Sequence, residues 1–102
     1  MNTRYRITRN PAGEQPELQL TLEECKALFE QQPDFVYQEE YKVRNAETVM
    51  TIKGDFFMWQ VGGAEVPFRY YDGDLYVAVS HEIIYEKMTE LAQALEAQFV
   101  EG

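Results

Sequence analysis

Few side chains in this sequence are of types that do chemistry. His81 is the sole histidine, and Glu82 follows it directly. As a general base it would need a carboxylate to orient the ring, and Glu82 or Asp74 would supply one. The competing reading is a polar residue in the first turn of a helix. Cys25 is the sole cysteine and would act as a nucleophile only with His81 as its base. Its neighbours at helical spacing, Leu22, Leu28 and Phe29, make it instead a small buried hydrophobe. Asp72-Gly73-Asp74 has the spacing that opens a calcium loop, but the twelfth position is Ile83 rather than glutamate, and the later ligands are missing. Asp-Gly is also the preferred dipeptide of a tight hairpin. No zinc spacing, phosphate loop or serine-hydrolase elbow is present. The sequence therefore predicts no catalytic residue, no metal and no cofactor.

Residue types suited to contact are more plentiful. The run "GDFFMWQVGG", Gly54 to Gly63, sets Phe56, Phe57, Met58 and Trp59 side by side. A strand sends neighbouring side chains to opposite faces, so this run makes both faces of a sheet apolar. Glu82, Glu86 and Glu90 recur every four residues and form an acidic stripe on a helix. Like charges at that spacing cost a few tenths of a kcal/mol per pair. A solvated face is the default for such a stripe, and a docking strip for a basic partner is the alternative.

The elements that position these groups follow from periodicity. "TRYRITR" alternates as a strand, with Tyr5 and Ile7 on one side and Arg4 and Arg6 on the other. "NPAGEQP" breaks it, and "ELQL" is a short strand or the approach to a helix. "TLEECKALFEQQ" reads as the first helix, with Thr21 and Glu24 as a capping box and Pro33 as its stop. From Asp34 to Ser80 the period is two, cut by turn signals, which predicts an antiparallel meander of about five strands. Gly54 is either a tight hairpin or a bulge in one long strand. "SHEIIYEKMTELAQALEAQFVEG" reads as a second helix capped by Ser80, with Ile84, Met88, Leu91, Ala92, Leu95 and Phe99 in one sector.

Hairpin parity assigns faces. A two-residue loop at Asp72-Gly73 sets Tyr70 opposite Leu75 and Phe68 opposite Val77. A four-residue loop from Gly62 to Glu65 then brings Phe57, Trp59 and Val61 to the same apolar face. Continuing outward adds Met50, Ile52, Tyr37, Tyr41 and Val43. Both helices are expected on this face. The other face divides into an ordinary wet half (Gln38, Glu40, Lys42, Val49, Thr51, Lys53) and an aromatic half: Phe56, Met58, Arg69, Tyr71 and Tyr76. Aromatics, methionine and arginine are enriched at protein contacts. Cover by the N-terminal strand, by the Pro11–Leu20 segment or by coiling of the sheet is the competing reading for this patch.

The chain has 102 residues, 45% of them hydrophobic and 14% aromatic, which predicts one folded domain rather than a disordered segment. Its formal charge of −9 argues against nucleic-acid binding through phosphates. The amino-terminal residues lack the apolar stretch of a signal peptide. No apolar run reaches the ~18 residues of a membrane span. A lone cysteine precludes an intrachain disulfide, and the expected location is the cytoplasm. Charge is polarised: Arg4, Arg6 and Arg9 lie near the start, whereas the last helix carries Glu82, Glu86, Glu90, Glu96 and Glu101 against Lys87. The expected protein is a small acidic α+β interaction module without enzymatic activity, of the inhibitor, immunity or chaperone type. It would bind a protein partner, a basic one being one option, or itself as a homodimer through Phe56, Met58, Arg69, Tyr71 and Tyr76 and through Glu82, Glu86 and Glu90. The alternative is a small-ligand binder or minor enzyme whose aromatic pocket has His81 and Asp74 at its rim.

Overall fold

The computed structural model describes residues 3–102. Its strands are β1 (Thr3–Thr8), β2 (Phe35–Arg44), β3 (Val49–Val61), β4 (Ala64–Tyr71), β5 (Asp74–Val79) and β6 (Gln98–Glu101); its helices are α1 (Leu22–Glu30) and α2 (Glu82–Ala94). The fold is α+β, with one six-stranded antiparallel sheet in the order β2-β3-β4-β5-β1-β6. The meander has four strands rather than five, because Gly54 lies inside the single long strand β3.

Local chemistry explains most element ends. Thr21 and Glu24 form the reciprocal capping box of α1, satisfying two backbone donors that a helix start leaves open. Asp72 and Gly73 both take positive φ, as do Gly62 and Gly63. That is the backbone a two-residue hairpin needs to match strand twist. The Gly62-Gly63 loop is thus two residues long, not four, and pairs Phe57 with Phe68 and Trp59 with Val66. A change of two residues preserves parity, so the inward residues stay inward.

The carboxyl end departs from the expected helix. His81, not Ser80, holds the N-cap position of α2, and its side chain makes no capping bond. The helix stops at Ala94. Glu96 adopts a left-handed φ of 53°, Glu96 N–H donates to Gln93 O, and Ala97 N–H donates to Ala92 O. This pair of bonds is a Schellman closure. It releases Phe99 into β6, where its ring meets Tyr5 and Tyr85 edge-on.

One hydrophobic cluster unites residues of both helices (Cys25, Phe29, Ile84, Met88, Leu91) with inward residues of the sheet (Ile7, Phe57, Trp59, Phe68, Val77). Phe29 stacks on Phe57 at 4.3 Å between centroids. Trp59 is buried, its Nε1–H donating to the Asp34 carboxylate at 2.8 Å. Arg9 joins the helix ends: its Nε donates to Leu95 O at 2.8 Å and its Nη1 to Glu24 at 3.1 Å.

The outer end of the β2–β3 hairpin corrects the expected face assignment. Gln38 pairs with Phe56, but Glu40 pairs with Lys53. Three steps on β3 answer two on β2, which is a β-bulge. Tyr37 consequently lies against Phe57, whereas Tyr41 lies against Phe56 on the opposite face. Ile52 gathers with Phe56 too, while Val43 and Met50 are exposed. None of Tyr41, Val43, Met50 and Ile52 joins the core cluster.

Candidate functional site

Alternation along the strands builds a cross-strand ladder on the second sheet face. Gln38 pairs with Phe56, Phe56 with Arg69, Arg69 with Tyr76, Tyr76 with Arg6, and Arg6 with Val100. The neighbouring rung holds Met58, Pro67, Ala78 and Arg4. A groove of about 400 Å³ is lined by Arg4, Tyr41, Ile52, Phe56, Arg69, Tyr71 and Tyr76, with Pro67 and Ala78 in its floor.

Phe56, Met58, Arg69, Tyr71 and Tyr76 share this sheet face, but two of them are closed off. Phe56 is 3% exposed and Met58 1% exposed. The Tyr41 ring sits 5.5 Å from that of Phe56, and the Arg69 guanidinium lies 5.5 Å from the same ring. Met58 sits beneath a depression bordered by Gln38, Tyr41, Lys42 and Glu65. The bulge swings β2 over these two side chains, so neither is an open contact residue. Tyr71 is 57% exposed, and Arg69 and Tyr76 are half-buried. The cover comes from the coiled hairpin; β1 lies alongside β5 within the sheet.

Arg69 is the distinctive group. Its guanidinium lies 5.1 Å from the Tyr71 ring as well as over Phe56, a stacked setting that suits arginine's planar, weakly hydrated fork. Its Nε is shielded from water and has no hydrogen-bond partner among the described residues. A Cβ at position 54 would come within 3.3 Å of that Nε, so Gly54 leaves room for the guanidinium. Arg6 is neutralised by Asp74 at 3.3 Å. Arg4 is exposed, and neither Arg4 nor Arg69 has an ion pair among the described residues. The groove is thus locally cationic in a chain of net charge −9.

The acidic stripe does not adjoin this groove. Ile84, Met88 and Leu91 turn α2 toward the core side of β5, where Val77 and Val79 lie. Glu82, Glu86 and Glu90 are exposed on α2's opposite flank, and Glu90 pairs with Lys87 at 3.2 Å. Tyr76 and Ala78 alternate with Val77 and Val79 and point the other way. One flat partner surface cannot touch both.

The side chains of types that do chemistry lie apart from the groove and from one another. His81 is exposed at the start of α2 and does not line the groove, nor does Asp74. Cys25 is wholly enclosed, and burial, aided by Glu24, pushes its thiol up to about 12. Asp72 and Gly73 form the β4–β5 turn, and Asp74 holds Arg6. No metal-ligating cluster occurs among the described residues, and none of their helices is long and apolar enough to cross a membrane. Sequence reasoning missed Arg4, Tyr41 and Ile52 as groove residues. Alternation in "TRYRITR" did set Arg4 on the outer side, but the pairing of β1 with β5 was not legible. Comparison with protein-family models, curated proteins and solved structures finds no match.

Proposed function

We propose that this chain is a non-enzymatic protein-interaction module whose contact surface is the groove on the second sheet face, centred on Arg69, Tyr71 and Tyr76. The observation that carries this reading is the Arg69 guanidinium, which lies over the rings of Phe56 and Tyr71 and has no ion pair among the described residues. Arginine and tyrosine in a concave, partly desolvated setting are the side chains that dominate binding energy at protein contacts. Arg4 adds charge that speeds encounter, and the aromatic walls lengthen residence.

The test is capture of partners by the immobilised full chain from extracts of its source cells. Tyr71→Ala and Arg69→Gln should each lose the partner held by the native protein. The triple variant Glu82→Gln, Glu86→Gln, Glu90→Gln should keep it, since the stripe lies across the sheet. Tyr71 is mostly exposed, so its variant folds even where Arg69→Gln is compromised. Undiminished capture by Tyr71→Ala, or no partner for the native protein, overturns the reading.

A further inference from the structure

The sign of the groove selects its occupant. We propose that it receives an extended acidic segment of a partner protein: one aspartate or glutamate carboxylate pairs with Arg69, and an adjacent apolar side chain packs against the rings of Tyr71 and Tyr76, whose centroids lie 6.4 Å apart. This rests on the interaction reading above and specifies the partner, which the sequence left open between another protein, basic or not, and a second copy.

Four observations converge. Arg69 has aromatic neighbours but no acid among the described residues. Its Nε has already lost water, so pairing with a carboxylate forfeits less hydration than at an open arginine. Arg4 lines the same groove, and the two cations repel a basic segment. A second copy docked groove to groove would oppose Arg4 and Arg69 to themselves, because a two-fold contact sets the same patch on both sides. The volume of about 400 Å³ suits a few side chains. Single-stranded nucleic acid also combines negative charge with stacking, but it brings a charge at every nucleotide to a chain of net −9, with only Arg4 and Arg69 to receive it.

The probe is a blocked hexapeptide alternating glutamate and phenylalanine, titrated into the ¹⁵N-labelled full chain. It should shift the Arg69 Nε–H and the Tyr76 and Ala78 amides saturably. Its affinity should fall about tenfold with Arg69→Gln, the scale of one charged hydrogen bond, and should weaken at high salt. Arg4→Gln, at an exposed site, gives a smaller loss and serves where Arg69→Gln disturbs the fold. Counterparts with glutamine or lysine in place of glutamate, and a short oligothymidylate, should bind far more weakly. Equal binding of the glutamine or lysine peptide at these resonances overturns the acidic occupant while the contact surface survives. Tighter binding of the oligothymidylate replaces it with a nucleic-acid ligand. Absence of groove shifts with the glutamate peptide also overturns it, and the capture assay above then decides separately whether the surface itself stands.

Discussion

Three side chains outside the groove, Cys25, Tyr37 and Tyr70, hold protons more tightly in the folded chain than their types ordinarily do, the first two most of all. Burial pushes Cys25 up to about 12, and the hydrogen bond that Tyr37 donates to Asp55, reinforced by burial, pushes its phenol up to about 12. Unfolding returns them to ordinary values of 9.0 and 10.0. Between the unfolded and folded values the native state binds more protons, so stability falls as pH rises. The contribution is complete below pH 9 and is lost progressively toward pH 12. Urea midpoints measured across that window should decline steeply for the native chain and less steeply for the Cys25→Ala, Tyr37→Phe double variant. Identical slopes would show that neither group titrates with unfolding. The cysteine's burial was legible from Leu22, Leu28 and Phe29 around it; the tyrosine's bond to Asp55 was not, because it spans two strands.

At the scale of elements, the sequence was clearest where a local rule acts alone. The capping box of α1, the Asp-Gly hairpin and the inward parity of Phe57 and Trp59 all follow from neighbours within a few positions. It was least clear where two periods overlap. Leu91, Leu95 and Phe99 continue a helical stripe, yet the chain turns at Glu96 and Phe99 belongs to a strand. The usual warning of such a turn is glycine, and here glutamate occupies the left-handed position. Relieving that conformation is worth roughly 0.5–1 kcal/mol. Glu96→Gly should therefore stabilise the protein by about that amount in chemical denaturation, with the slope against denaturant unchanged. A loss of stability would mean that the glutamate side chain supports the turn. The bulge opposite Glu39 falls at Gly54, where the sequence left a tight hairpin and a bulge as alternatives, and it decided that Tyr41 closes over Phe56.

For the molecule as a whole, the groove was half legible. Arg69, Tyr71 and Tyr76 follow from hairpin parity, but Arg4 arrives from the opposite end of the chain through the β1–β5 pairing, which no local pattern encodes. The outer β2–β3 hairpin also extends past the core: Val43 is 41% exposed and Met50 59%, against 1% for Phe57. Backbone bonds there should therefore open without breaking the cluster. Amide exchange near Val43 and Met50 should report opening free energies close to zero, while those of Phe57, Phe68 and Val77 should approach the global value of about 5 kcal/mol or more. Uniform protection along β3 would show that the hairpin unfolds only with everything else.

Strand β1 lies between β5 and β6, with Thr3 opposite Val79 and Tyr5 opposite both Val77 and Glu101. During synthesis the first strand leaves the ribosome with neither neighbour yet made. Bringing such distant stretches together carries a large loop-closure cost, which slows folding. The meander can assemble early, but the sheet is finished only once Gln98–Glu101 have been made, and until then Tyr5 and Ile7 lack their β6 neighbours.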